Sequence, residues 1–384
     1  MPSQDTIVSN RLPIVFHLKF TVIGAVAKAL LLTLALLSET TASDSRPIAL
    51  QPLIEPRYDS LILRALDQMS RGAYASADSL LLSLPDIPAR AYFHGLALAT
   101  RCNDLGDTAA LTAASREWER IEAAGEISGS PFANDPHLGL YRGLSELQLS
   151  YVASVRGGRI RAARLGRKAV KTLEPFAAYA EAEAALALYD YYKAQLLQGV
   201  SWIPFVNPDR AGPLRRLEAA IPRSHYLADI LETSLLWIYY DAGRYDDGLA
   251  PIRRYLARYP GNRPARQMLA DFLFRRRAPS GDLDSALIIH SALAREYQAL
   301  EPAYPPPAYL PVGYLCSVGN LAKIYAALPP SKTAPNSSPK AHSDALRRQL
   351  AIWYSPRYSG IISWLPASLT REVELLEKEN LRQK

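Results

Sequence analysis

Metal chemistry on a helix calls for imidazoles or carboxylates one turn apart. The six histidines of this 384-residue chain, His17, His94, His137, His225, His290 and His342, show no i, i+4 pairing of that kind. The two cysteines, Cys102 and Cys316, lie far apart and form no CxxC pair. Neither a zinc site nor a disulfide framework is expected, although one long-range bridge stays open for an exported chain. No phosphate loop or dinucleotide fingerprint occurs, and the stretch from Gly125 through Ser128 to Gly129 has the wrong spacing for a nucleophile elbow. Glycosidic chemistry needs only two acids, and Glu181, Glu183, Asp190 and Glu232 lie near aromatic residues. Glu181 and Glu183, however, are two apart on a helix and do not face each other. The expectation is a non-enzymatic chain without metal or cofactor.

Two groups of residues suit binding. Tyrosine outnumbers phenylalanine 22 to 8, and tyrosine joins a large contact area to a polar tip, as binding grooves favour. The candidate partner-binding residues are Tyr191, Tyr192, Trp202, Phe205 and Tyr240. Trp202 and Phe205 sit in a Pro-interrupted insertion, 199–213, where an apolar pair either folds back or meets a partner. The second group is basic: Arg161, Arg164, Lys168 and Lys171 form one stripe on a helix, suited to anionic head groups or phosphate-bearing polymers. No aromatic platform interleaves with it. A protein or peptide is therefore the expected partner, with envelope membrane association open and nucleic acid not expected. The net charge of +7 is spread over 44 basic and 37 acidic residues and singles out no partner class.

The elements that must position these residues read as helices. Hydrophobic residues make up 49% and charged residues 21%, which excludes both a disordered chain and a multispanning membrane protein. From Tyr58 to about Leu328, apolar residues recur at helical spacing between short Gly, Pro or Asp breaks, and strand signals are scarce. An internal repeat underlies the pattern. Gly243 is followed by Tyr245, Gly248, Ile252, Tyr255 and Pro260; Gly158 by Ile160, Ala163, Val170 and Pro175; Gly72 by Tyr74, Ala77, Leu81 and Leu84, with Pro88 one position early. Gly281, with Leu283, Ala286, His290 and Leu293, is a degenerate fourth copy. Glycine ends one helix in the left-handed conformation, a small residue allows close helix approach, and proline stops the second helix.

These half-units resemble the tetratricopeptide repeat (TPR) family, with Tyr239 where that family carries its first-helix tyrosine. The resemblance implies an irregular right-handed α-solenoid of TPR-like hairpins acting as a scaffold. Arg167 departs from the pattern where a large apolar residue is expected, and the glycines at 72, 158 and 243 are too widely spaced for an uninterrupted array.

The expected organisation is a signal or anchor over 1–42, the array over 50–328, a Pro/Ser/Asn linker over 329–344 and amphipathic C-terminal helices over 345–384, with Leu369, Val373 and Leu376 on one face of a capping helix. Residues 20–37 are apolar apart from Thr21, Lys28 and Thr33, preceded by Arg11 and Lys19 and followed by Thr40, Thr41 and Ala42, an export signal in outline. Cleavage would place the protein in the periplasm or cell envelope; retention would anchor it through 20–37. Three functions are weighed: an exported scaffold, an (α/α) toroid carbohydrate-active enzyme, and a membrane-anchored structural component. Whether the array is open or closes on itself separates the first two.

Overall fold

A computed structural model of the chain describes residues 52–125, 129–156, 158–197, 209–276, 281–300 and 312–327. The export segment, the 329–344 linker and the C-terminal helices lie outside the described residues, as do Trp202 and Phe205. The described residues contain thirteen α-helices and no strand. They are α1 (Pro56–Ser70), α2 (Tyr74–Leu82), α3 (Pro88–Leu105), α4 (Thr108–Ala124), α5 (Leu138–Val155), α6 (Arg159–Leu173), α7 (Ala180–Leu197), α8 (Ala211–Ala220), α9 (Ala228–Asp241), α10 (Tyr245–Arg258), α11 (Arg263–Arg276), α12 (Gly281–Leu300) and α13 (Val312–Ala327). Successive helices pair as hairpins from α1/α2 to α11/α12. Odd-numbered helices also pack on one another, α1 on α3, α3 on α5 and α5 on α7, so that each hairpin covers the apolar face of the one before.

The hairpin turns explain the glycines. Gly72 and Gly243 adopt φ of 78° and 70°, the left-handed region that costs other residues a Cβ clash. Both turns close identically. The Gly72 N–H donates to the Met69 carbonyl at 3.0 Å and the Ala73 N–H to Gln68 at 2.9 Å; Gly243 donates to Tyr240 at 3.1 Å and Arg244 to Tyr239 at 2.8 Å. Carbonyls orphaned at the helix end are thereby satisfied.

The third copy is one residue out of the expected register. Gly158 has φ of −80°, and its N–H donates to Ala153 at 2.8 Å, five residues back, as Ala73 and Arg244 do. Gly158 therefore corresponds to Ala73 and Arg244, and Arg159 to Tyr74 and Tyr245. The side chains agree: Ile160 is 68% exposed while Tyr74 is 5% exposed. In the corrected register the buried stripe of α6 is Ala162, Gly166, Ala169 and Leu173. It has the spacing of Gly248, Ile252, Tyr255 and Tyr259 along α10, and of Ala286, His290, Leu293 and Tyr297 on α12. Gly166, not Arg167, occupies the position expected to be large. At Gly248 the close approach is explicit, because a Cβ there would lie 2.5 Å from the Phe272 ring on α11.

A further copy was hidden in the sequence. Gly106, at φ 73°, ends α3 thirty-four residues after Gly72, the period of a TPR unit. Asp107 then caps α4, its carboxylate accepting the Ala110 N–H at 3.0 Å. Thr108 and Leu111 stand where the other copies carry an aromatic and a small residue. Pro88 does not close α2 but opens α3 at its first position, where a missing N–H costs nothing.

The array closes on itself. The Asn262 side chain, at the start of α11, donates to the Ser70 carbonyl at 2.7 Å; Tyr226 donates to Asp59 at 2.6 Å; Arg263 and Tyr297 both reach Asp104 at the end of α3; and α13 packs on α3. The first two hairpins thus meet the fifth and later ones. The core fills with Tyr92, Phe93, Trp118, Phe132 and Tyr141, all essentially inaccessible.

Candidate binding face

The aromatic candidates divide by helix geometry. Tyr191 and Tyr192 are consecutive on α7, about 100° apart around its axis, so one turns inward and the other outward. Tyr191 is core, its ring edge-on to Tyr192 with centroids 5.6 Å apart. Tyr240 is also buried, sharing an aromatic cluster with Tyr245 and Phe272, each at 5.8 Å. These two residues hold helices together and do not present a free face, which corrects their place among the partner-binding candidates.

Tyr192 behaves differently, and Tyr151 on α5, absent from the candidates, joins it. They are 40% and 43% exposed. Nevertheless, surrounding protein raises both phenols: desolvation pushes Tyr151 up to about 12, and Tyr192 rises through desolvation first and then the neighbouring Tyr151. Both rings are thus partly open to solvent beside closely packed protein. On α7 the amide of Gln195 bonds Asp241 at the end of α9, and Arg210 bonds the Tyr191 hydroxyl. Tyr151 and Tyr192 thus lie toward the C-terminal ends of α5 and α7, and the Gln195–Asp241 bond joins α7 to the end of α9. Trp237, 40% exposed on α9 and edge-on to Tyr240 at 5.8 Å, is a further accessible aromatic.

The basic stripe is largely a seam between helices. Arg161 pairs with Glu119 at 3.3 Å, and Lys168 with Glu122 at 2.7 Å and Glu146 at 3.3 Å. Glu146 is fully buried and also receives Arg142 at 3.3 Å and the Thr172 hydroxyl at 2.9 Å. Burial pulls the Lys168 ammonium down, but the Glu122 hydrogen bond and Glu146 outweigh it and raise its pKa. Two of the stripe's four charges therefore serve α4/α5/α6 packing. Arg164 and Lys171 remain exposed.

The acids weighed for glycosidic chemistry are all engaged. Glu181 is buried and accepts the Ser224 hydroxyl at 3.1 Å and the His225 and Tyr226 N–H groups at 2.9 and 3.4 Å, completing the turn into α9. Glu183 pairs with Arg223 at 2.5 Å, Asp190 with Arg216 at 2.9 Å and Glu232 with Arg258. A cavity of about 540 Å³ opens beside Glu181, bordered by Asp59, Tyr179, His225 and Tyr226. There His225 Nε2 and the Tyr226 hydroxyl both meet Asp59, at 3.1 and 2.6 Å.

Of the remaining sequence candidates, His290 lies fully buried on its repeat stripe with Nε2 3.2 Å from Asp271 Oδ1. Cys102 is a buried free thiol, pushed up to about 12 by burial. Among the described residues no cluster of three or more His, Cys, Asp or Glu could hold a metal, and no helix is long and apolar enough to cross a membrane.

Comparison by sequence matches no family model and no curated protein. Among solved structures the chain is similar to a monomeric variant of IFIT1 with m7Gppp-AAAA, at a TM-score of 0.38 and 14% identity, covering 85% of this chain and 74% of that one. That neighbour carries a capped oligonucleotide, so the expectation that nucleic acid is not a partner is withdrawn.

Proposed function

We propose that this chain is an exported, non-enzymatic scaffold of divergent TPR-like hairpins that takes a protein or peptide segment on the tyrosine-bearing face of α5 and α7 in the cell envelope. The observation that carries the reading is the pair Tyr151 and Tyr192, large phenols left partly open to solvent on a closely packed helical array. Rigid tyrosines give contact area at low entropic cost, and burying the exposed two-fifths of one such ring on binding is worth about 1 kcal/mol. Export rests on the apolar 20–37 stretch, with the retained anchor as the alternative. Absence of catalysis rests on the engagement of Glu181, Glu183, Asp190 and Glu232.

A toroidal carbohydrate-active enzyme draws support from one observation, the closure of the array. A free pair of acids would have to be added to it.

The test is a photo-crosslinking amino acid at position 192, and separately at 151, in the full chain expressed in cells. A discrete polypeptide adduct at both positions, lost with unlabelled partner in excess, is expected. Adducts made only to nucleic acid, or none at either position, refute the protein-binding reading. N-terminal sequencing of the recovered chain tests export: an intact Met1 in a soluble fraction removes the cleaved-signal reading.

A further inference from the structure

The contacts that close the array are more polar than those that build it. Along the chain, each hairpin lies helix against helix on its neighbour, with small residues such as Gly166 and Gly248 at the approach. Across the closure, between α1–α3 and α9–α13, the apolar contacts are α13 on α3 and the Phe93 ring 5.7 Å from that of Tyr226, and long polar side chains do the rest of the joining. At one end Asp59 takes the Tyr226 hydroxyl and His225. At the other, Asn262 bonds Ser70 at 2.7 Å and the Arg71 guanidinium lies 5.6 Å over the Tyr259 ring.

The centre is Asp104. Its carboxylate, 1% exposed, accepts Tyr74 at 2.9 Å, Tyr297 at 2.8 Å, Arg263 Nε at 3.2 Å and a second bond from Arg263 Nη2. An acid in the last turn of a helix faces the negative end of the helix dipole, so α3 by itself gains nothing from Asp104. Tyr74 of α2 supplies one compensating bond, and Arg263 of α11 and Tyr297 of α12 supply the other three.

We propose that this seam is a latch: the array opens and closes as two arms that keep their own hairpin stacking, and the Asp104 carboxylate holds them shut. Parting the arms sacrifices the seam contacts and leaves the stacking within each arm intact, while water rehydrates Asp104, Arg263 and the tyrosine hydroxyls. The inference does not depend on what the Tyr151 and Tyr192 face binds.

The experiment measures distances across the seam in the full chain. Spin labels at Ala75→Cys on α2 and Ala299→Cys on α12, both exposed positions, report the gap, and labels at Ala177→Cys and Ala219→Cys serve as an internal control away from it; Cys316→Ser is included throughout. Asp104→Ala and Arg263→Gln are expected to add a population longer by more than a helix width, about 10 Å, with the control distance and helical circular dichroism unchanged. Asn262→Ala, a milder cut, should populate the same longer distance less. An unchanged seam distance in all three variants overturns the proposal. So does broadening of the control pair together with loss of helicity, because the seam would then be part of one indivisible core.

Discussion

The corrected register at Gly158 makes a prediction by which, of two glycines in similar sequence context, only one loses stability on the same substitution. Gly243 sits at φ 70°, and a Cβ built there meets nothing within 4 Å. Gly243→Ala therefore isolates the conformational cost of a left-handed L-residue, about 1–2 kcal/mol. Gly158 has φ of −80° and begins α6 as its N-cap. An alanine there reduces the freedom of the unfolded chain, worth about 0.4–1 kcal/mol, and forfeits the modest N-cap preference of glycine, worth about 0.5 kcal/mol or more. Its Cβ would lie 3.3 Å from the Ala153 carbonyl oxygen, a tight but adjustable contact. The opposing contributions leave Gly158→Ala within about 0.5 kcal/mol of neutral. Urea unfolding followed by circular dichroism reads both variants as midpoint shifts at constant m. Equal losses for the two variants would falsify the register, since Gly158 would then be a turn glycine like Gly72 and Gly243. No loss at Gly243 would remove the turn argument itself.

Gly248→Ala should destabilise by about 1–3 kcal/mol through overlap with Phe272, despite alanine's better helix propensity, and Phe272→Leu in the same chain should recover most of the loss in a double-mutant cycle. Glu146→Ala leaves Lys168 and Arg142 without their buried partner and should cost about 3–5 kcal/mol, whereas Arg161→Ala, at an exposed pair, should cost under about 1 kcal/mol; comparable losses would show that burial does not separate them. Burial lowers the pKa of His137, and Asp135 only partly offsets it. The depressed folded value means that its contribution is complete above the ordinary histidine pKa near 6.5 and is lost as pH falls through the folded value. Stability should therefore fall on acidification below about pH 6.5, and His137→Phe should flatten that limb of the urea-midpoint profile; an unchanged limb refutes the assignment.

The sequence by itself determined the local grammar. Gly72 and Gly243 mark turns because only glycine takes that backbone cheaply, and the Ala77 and Gly248 positions mark helix approach because a side chain there would collide. Where two signals competed, local reading slipped. Gly157 and Gly158 are adjacent, and choosing the second displaced the α6 stripe by one residue, placing exposed Ile160 where a buried side chain was expected. Gly106 escaped because Thr108 and Leu111 replaced the aromatic and small residues that follow the glycine in the other copies. Composition found the tyrosines but could not orient them, since neighbours such as Tyr191 and Tyr192 differ by a rotation that only packing fixes. The tertiary structure alone decided the closure, the exposure of Tyr151 and Tyr192 and the fate of the acids. Asp104 and Arg263 are 159 residues apart, and no periodicity records which distant hairpin will arrive beside a carboxylate; that depends on the small rotation at every hairpin interface, accumulated around the whole array.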